Sequence, residues 1–165
     1  MSETIRIVIA DDHAPTRAGI RAVLEEDGFA VCGEAASADA AVDLALQERP
    51  AVCLLDINMP GGGIAAAGAI SERLPETAIV MLTVSRDDAD LFDALRAGAA
   101  GYLLKDIDRR QLPEDLRGVL AGEAPLPRGR RGGLRAAGGG RCPSGDSRLR
   151  LRAGRRRGRR RRGKR

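Results

Sequence analysis

The chain has 165 residues, enough for one domain with its own hydrophobic core, and its basic side chains exceed its acidic ones by five. That average hides a split, because residues 1–127 carry 11 Lys and Arg against 22 Asp and Glu (net −11), whereas residues 128–165 carry 17 against 1 (net +16). No apolar stretch reaches the roughly 18 residues of a membrane span, and the start does not resemble a signal peptide. We therefore expect no membrane association and a soluble, cytoplasmic protein.

Five short runs rich in β-branched residues or leucine predict five strands, at about residues 5–10, 29–35, 51–56, 78–84 and 101–104. Aromatic residues are few, so the core must be built from Val, Ile, Leu and Ala, as in a parallel sheet that is buried on both faces. Cys32 and Cys53 lie within two of these runs and are interpreted as small buried thiols.

Helical patterns follow each predicted strand. The first covers about residues 15–27, with Pro15 at a position where a first helical residue tolerates proline. Ser37 is a candidate cap for the second, which extends to about Glu48. The other three are expected at about residues 64–74, from a cap at Ser85 with Asp88 to near Gly98, and at about 109–121 with Asp108 as cap.

Five alternating strands and helices predict an α/β fold, a doubly wound five-stranded parallel sheet with five helices. Right-handed crossovers leave few arrangements, and the flavodoxin-like strand order 2-1-3-4-5 is the natural one. That order places the first and third strands side by side.

Polar side chains stand at the carboxyl ends of four predicted strands. Asp11 and Asp12 follow the first strand, Asp56 ends the third, Thr83 follows the apolar part of the fourth, and Lys105 follows the fifth. Ligands of open parallel sheets bind at these ends. We therefore expect the three acids to converge on one end of the sheet.

A cluster of three carboxylates needs compensation. At about 4 Å and an effective dielectric near 20, each close pair costs on the order of 4 kcal/mol, so one acid protonates or a cation sits among them. Several acidic oxygens favour a hard divalent ion such as Mg²⁺. With the ammonium of Lys105 and the hydroxyl of Thr83, the site suits a phosphoryl group, and a carboxylate nucleophile would form an acyl phosphate.

Each of these residues also has a structural interpretation when it is taken alone. The acidic pair can cap a helix or lie in a solvated loop, Thr83 can simply end a strand, and Lys105 can be a surface residue. His13, the only histidine, invites a role as metal ligand or general base, but one histidine makes no cluster. Tyr102 is either a core residue or a functional one.

The sequence resembles the receiver domain of bacterial two-component response regulators, most closely the NarL/FixJ (LuxR-type) class. The matching stretches, in order and correctly spaced over about residues 4–122, are Ala10–His13, Val31–Ala35, Leu54–Pro60, Leu82–Thr83 and Leu95–Asp106.

The resemblance implies a phosphoacceptor, a metal site and a switch. Asp56 would accept a phosphoryl group from the phosphohistidine of a sensor histidine kinase. The other implied roles are Mg²⁺ binding by Asp11, Asp12, Asp56 and the backbone carbonyl of Asn58, phosphoryl contacts by Thr83 and Lys105, and a switch formed by Thr83 and Tyr102. Receivers of this class often dimerise when phosphorylated, so a homodimer is a further expectation.

The composition changes near Pro125. Residues 128–165 contain 16 Arg and 10 Gly, too little apolar surface to offset the entropy of ordering. We therefore predict a receiver domain at residues 1–124 and a disordered basic tail at residues 125–165. The class normally ends in a DNA-binding helix-turn-helix domain of roughly 60 residues, for which this tail has no apolar periodicity, so the effector domain is expected to be absent.

The sequence is compatible with three functions. The first is a phosphorylation-regulated signalling module that normally serves transcription control and is not a conventional enzyme. The second is sequence-nonspecific nucleic-acid binding through the Arg-rich tail. The third is a phosphatase with an aspartyl nucleophile, which commonly needs a second acid two residues later, where this chain has Asn58, a poor general acid.

Overall fold

The computed structural model describes residues 3–123, in which five strands and five α-helices alternate along the chain. The strands are β1 (Arg6–Ala10), β2 (Ala30–Ala35), β3 (Val52–Asp56), β4 (Ala78–Thr83) and β5 (Gly101–Leu104). The helices are α1 (Ala14–Glu26), α2 (Ala38–Glu48), α3 (Gly63–Arg73), α4 (Asp88–Arg96) and α5 (Leu112–Leu120). Within this part of the chain, no helix is both long and apolar enough to cross a bilayer. The prediction of a disordered basic tail without an effector domain, at residues 125–165, lies outside the described residues.

All strand pairs in the described sheet are parallel, and the order β2-β1-β3-β4-β5 confirms the predicted fold. Ala10 pairs with Leu55 across β1 and β3. Asp11 and Asp56 each come one residue later, so the two acids leave the sheet side by side. On the other side of β3, Asp56 pairs with Leu82, which brings Thr83 to the same edge.

The sheet separates two apolar clusters, because successive side chains of a strand point to opposite faces. On one face, Val8 and Leu55 pack with buried residues of α2, α3 and α4. On the other, Ile9 and Leu54 pack with buried residues of α1 and α5. Because helices cover both faces of the sheet, the polar residues that follow the strands meet at the ends of the strands, and this places the site at the end of the sheet.

The predicted start of α4 is wrong by two residues. The cap is Asp87, whose side chain accepts a hydrogen bond from the N–H of Ala89 at 3.0 Å, whereas the hydroxyl of Ser85 accepts one from Asp87 at 3.1 Å. The helix also ends at Arg96, before the predicted Gly98. By contrast, the predicted cap at Ser37 is confirmed, since its side chain accepts from the N–H of Ala40.

The helix predicted at about residues 109–121 consists of a 3₁₀ turn followed by a separate α-helix. Asp108 caps a 3₁₀ turn at Arg109–Gln111, with its side chain accepting from the N–H of Arg110, and α5 begins only at Leu112. Pro113 explains the break, because it has no N–H to donate to the carbonyl of Arg109 and its ring would clash with that carbonyl in a continuous α-helix.

The two cysteines of the described strands differ in burial. Cys53 is fully buried in the central strand, where burial raises the pKa of its thiol to about 12. Cys32 is only half-buried, so its assignment as a buried thiol is wrong. It lies in the edge strand β2, at an irregularity where β2 has one residue more than β1, and its thiol donates to the carbonyl of Ile7 at 3.4 Å.

Candidate functional site

Asp11 stands directly after β1 and is 1 % exposed. Its N–H donates to the carbonyl of Ala35 at 3.0 Å, which continues the ladder between β1 and β2 by one residue. Its carboxylate Oδ1 accepts a hydrogen bond from the N–H of His13 at 2.8 Å. The backbone of Asp11 is therefore fixed by β2, and its side chain by the loop between β1 and α1.

Asp56 is the last residue of β3 and is 3 % exposed. Its Oδ1 accepts from the N–H of Asn58 at 3.2 Å. Burial raises the pKa of Asp56, and the charge of Asp11 adds to this, while the N–H of Asn58 and the ammonium of Lys105 act in the opposite direction. The net rise means that the fold holds this carboxylate at a free-energy cost when it is charged.

Lys105 joins the two acids. Its Nζ lies 2.8 Å from Oδ2 of Asp11 and 3.2 Å from Oδ1 of Asp56, and its side chain is 19 % exposed. Burial alone would lower the pKa of Lys105, but the close contact with Asp11 and the charges of both carboxylates outweigh it and raise the pKa. The lysine is therefore a firmly charged partner of both acids at neutral pH.

Asp12 completes the acidic group and is exposed, unlike the other two acids. Within residues 3–123, one carboxylate oxygen from each of Asp11, Asp12 and Asp56 can be chosen so that all three lie within 4.8 Å of one another. Three carboxylates against the single ammonium of Lys105 leave an excess of two negative charges. A divalent cation would balance that excess.

One atom in the cluster supports the fit of a cation. Oδ2 of Asp11 is buried and, among the described residues, accepts no hydrogen bond of good geometry, although the ammonium of Lys105 is close enough for an ion pair. A buried carboxylate oxygen without a directed donor is costly, and a metal ion would satisfy it. Hard oxygen ligands of this kind suit Mg²⁺.

Thr83 and Tyr102 both bond to the loop between β4 and α4. Thr83 is fully buried, and its Oγ1 accepts from the N–H of Ser85 at 3.0 Å. The hydroxyl of Tyr102 donates to the carbonyl of the same Ser85 at 3.2 Å, with the ring 3 % exposed. Burial, together with the charge of Asp90, raises the pKa of this phenol. Ser85, which the sequence offers only as a helix cap, therefore connects the two side chains.

His13 has a structural role. It is the N-cap of α1, where its Nδ1 accepts from the N–H of Thr16 at 3.3 Å and lies 2.6 Å from the hydroxyl of Thr16. The acidic group defined above does not include its ring. Capping is thus the interpretation that the structure supports for this residue.

Arg17 is a residue that the sequence did not single out. Its NH1 donates to the backbone carbonyl of Asp11 at 2.6 Å, and its side chain is 20 % exposed. An arginine on the first turns of an amphipathic helix is normally a solvent-exposed residue, so its sequence carried no signal. Only the path of the loop after β1 brings the carbonyl within reach.

A five-stranded parallel sheet with acids after β1 and β3 and a lysine after β5 defines the receiver class of signalling domains. Residues 7–117 match the response regulator receiver domain family, so the chain belongs to that family.

Particular relatives place it near the LuxR-type response regulators. It is 42 % identical over 122 residues to the oxygen regulatory protein NreC of Staphylococcus epidermidis strain ATCC 12228, an alignment that covers 72 % of this chain and 56 % of NreC. The crystal structure of a LuxR-family two-component response regulator from Aurantimonas sp. SI85-9A1 superposes with a TM-score of 0.71 and 35 % identity, over 74 % of this chain and 90 % of that one. The signal receiver domain of the putative response regulator NarL from Mycobacterium tuberculosis gives a TM-score of 0.69 and 35 % identity, over 74 % of this chain and all of that one.

The chain spans about half the length of the curated relative that it matches. The part of the chain that the family match identifies is the receiver domain at residues 7–117.

Proposed function

We propose that this protein is a phosphoacceptor of a two-component signalling system, with Asp56 as the residue that is phosphorylated by a sensor histidine kinase. One observation carries the proposal. The ammonium of Lys105 lies between two buried carboxylates, 2.8 Å from Asp11 and 3.2 Å from Asp56, at the end of the sheet where a phosphate donor can approach. Membership in the receiver family supports the same assignment.

The ion that fits the acidic group is Mg²⁺. Its ligands would be the carboxylates of Asp11, Asp12 and Asp56 and the backbone carbonyl of Asn58. When bound, Mg²⁺ supplies positive charge that neutralises the phosphoryl oxygens next to the nucleophile. Exposed Asp12 leaves the group accessible from solvent.

The reaction is a transfer between two nucleophiles. Both described contacts of the Asp56 carboxylate are made by Oδ1, so we assign Oδ2 as the attacking oxygen. A bond forms between Oδ2 and phosphorus, the bond between phosphorus and the kinase imidazole breaks, and its electron pair leaves with the imidazole nitrogen. Lys105 and Thr83 then bind oxygens of the new acyl phosphate through its ammonium and hydroxyl.

The response to phosphorylation would begin at Ser85. A phosphoryl oxygen that accepts the O–H of Thr83 would draw Oγ1 towards Asp56 and away from the Ser85 N–H, from which Oγ1 now accepts a hydrogen bond. Tyr102 bonds to the carbonyl of the same residue, so the aromatic ring and the loop before α4 respond together. The output is a change in the surface formed by α4, β5 and α5, through which the receiver controls its partner, in this class a transcriptional output and, on phosphorylation, a second copy of the chain.

We further propose that the protein is a signalling module and not a turnover enzyme, although it assists its own phosphorylation and hydrolysis. An aspartyl phosphatase needs an acid to protonate the leaving group, and Asn58 at the usual position for that acid cannot do so. Multiple turnover on small phosphate esters would favour the phosphatase instead.

A small phosphate donor tests the phosphoacceptor. Incubation of the full chain with acetyl phosphate and Mg²⁺ should attach one phosphoryl group to Asp56, detected by intact mass and by peptide mapping after reduction of the acyl phosphate. Asp56→Asn should lower the labelling by at least about 100-fold, because the amide is not a nucleophile of comparable strength. Asp43→Asn, which removes an exposed acid of α2, is the matched control and should label normally. Undiminished labelling of the Asp56 variant would contradict the proposal.

A further inference from the structure

Arg17 connects the acidic loop to the edge of the sheet. Its NH1 donates to the backbone carbonyl of Asp11 at 2.6 Å, and its Nε donates to Oε1 of Glu34 at 3.1 Å. Asp11 follows β1 and Glu34 belongs to β2. One planar guanidinium therefore bonds two neighbouring strands at the end where the acids converge.

Glu34 is itself held in place from the other side. Its Oε2 accepts from NH1 of Arg21 at 2.6 Å, and Arg21 also pairs with Glu25 at 2.9 Å, one turn further along α1. Arg17 and Arg21 thus share Glu34, but of these two arginines it is Arg17 that bonds to Asp11. Both arginines therefore anchor α1 to β2 through Glu34, but Arg17 also anchors Asp11.

We propose that Arg17 is a positioning residue for the metal site, which holds the backbone of Asp11 so that its carboxylate faces the other two acids. The inference rests on the proposed function, because it concerns the affinity of the same acids for Mg²⁺. The other contacts of Asp11 fix its N–H, to the carbonyl of Ala35 in β2, and its carboxylate, to the N–H of His13 and the ammonium of Lys105, but none of them holds its carbonyl. Without Arg17, the carbonyl of Asp11 loses the donor that fixes its peptide plane.

The charge of Arg17 and its positioning role should change the affinity for Mg²⁺ in opposite directions. Removing a positive charge next to an acidic cluster should by itself strengthen the binding of a divalent cation. Loss of positioning should weaken it, and residues that orient metal ligands typically contribute about tenfold or more to metal affinity. A weaker Mg²⁺ affinity in a variant without Arg17 therefore cannot come from the change in charge.

The test compares two arginines on one helix. Mg²⁺ titrations of the full chain, followed by calorimetry and by the amide resonances of residues 11–13, give the dissociation constant. Arg17→Ala should raise that constant by about tenfold. Arg21→Ala changes the net charge equally and breaks two ion pairs, yet it should leave the constant within about twofold of the original protein. Equal or tighter binding by the Arg17 variant, or an equal loss in both variants, would overturn the inference.

Arg17→Lys is a second variant, which distinguishes a loss of positioning from a general folding defect. Lysine keeps the charge and most of the packing, but a point charge cannot bond Asp11 and Glu34 together as the planar fork does. The lysine variant should therefore lose most of the same affinity. Full affinity in Arg17→Lys would show that the bond from one guanidinium to both Asp11 and Glu34 is not needed, and would overturn the positioning role.

A measurement without metal separates this inference from the proposed function. The N–H of His13 donates to Oδ1 of Asp11, so its hydrogen exchange reports the orientation of that carboxylate. In Mg²⁺-free buffer, exchange at His13 should be faster in both Arg17 variants and unchanged in Arg21→Ala. If the original chain does not bind Mg²⁺, the proposed metal site fails, and the exchange at His13 still decides the positioning role.

Discussion

At the scale of single residues, the site is a balance of buried charges. Asp11 and Asp56 are both nearly inaccessible to solvent, and the ammonium of Lys105 is the cation that pairs with them. Its presence lets the carboxylates approach one another, but it does not neutralise them. The unbalanced charge makes the site receptive to a divalent cation and makes it costly when empty.

Asp56→Asn should stabilise the metal-free protein at neutral pH. Because burial raises the pKa of Asp56 above its ordinary value of 3.8, the neutral acid is favoured in the folded state. Its contribution to stability is thus fully present below that ordinary value and is lost as the pH rises through the folded pKa. At pH 7 the uncharged asparagine removes this cost, and we expect the melting temperature to rise by about 2–5 °C.

Thermal melts at two pH values, with and without Mg²⁺, check this expectation. The gain should shrink at about pH 3.5, where the aspartate itself becomes neutral. Added Mg²⁺ should stabilise the original protein more than the variant. A lower melting temperature for Asp56→Asn in Mg²⁺-free buffer at pH 7 would show that the pair with Lys105 outweighs burial.

The residues of the site could be predicted because each of them ends or directly follows an apolar run that the sequence identifies as a strand. Asp56 ends a run of apolar residues, and Lys105 follows another, so the order of the strands alone brings them together. Arg17 could not be predicted this way. Its partner is a backbone carbonyl, which every residue has, and the contact depends on the path of the loop.

At the scale of elements, the packing of α3 against β3 leaves no room for a side chain at its first residue. The N–H of Gly63 donates to the carbonyl of Ile57 at 2.9 Å, and a β-carbon on Gly63 would overlap the carbonyl oxygen of Asp56. The loop that follows Asp56 therefore turns directly into a helix. A glycine at this position lets the helix approach the strand closely.

Gly63→Ala should destabilise the protein by about 3 kcal/mol or more, because the obstructing atoms belong to the backbone and cannot move aside. Gly68→Ala is the matched control, since it lies in the same helix with no atom within 4 Å of the added carbon. That change should stabilise by about 0.5–1 kcal/mol. Urea unfolding of both variants measures the difference, and a similar effect in the two would contradict this packing argument.

The ends of the elements show where local sequence signals fail. Ser37 is a cap in both prediction and structure, and Asp39, two residues later, lies in the first turn of α2. Before α4, Ser85 and Asp87 are both capping residues, and tertiary contacts with Thr83 and Tyr102 engage the backbone of Ser85. The break before α5 was readable from Pro113, since a proline five residues into a helix lacks the required donor.

At the scale of the whole molecule, the chain combines an acidic receiver domain with a strongly basic sequence. Residues 1–127 have a net charge of −11 and residues 128–165 of +16. A segment of that charge binds phosphate backbones by releasing counterions, with little dependence on base sequence. Nucleic-acid binding through this segment is therefore an expected property, separate from phosphorylation.

The full chain should bind duplex DNA with an affinity that falls by about 10³-fold between about 50 and 200 mM salt. A version of the chain that ends at residue 127 should not bind measurably, because its net charge is negative. Filter binding with two unrelated DNA sequences measures the affinity of each version at each salt concentration. Equal binding by the two versions would place the interaction on the receiver domain instead.

Tyr102 has one more consequence. The full sequence contains a single tyrosine and no tryptophan, and the ring of that tyrosine is buried with its hydroxyl on the carbonyl of Ser85. The near-ultraviolet emission of the whole protein therefore comes almost entirely from one ring, at the place where we assign the switch. Tyr102 is therefore an intrinsic fluorescent probe. A change in the intensity or lifetime of its emission during phosphate transfer would report the movement of the ring without any attached dye.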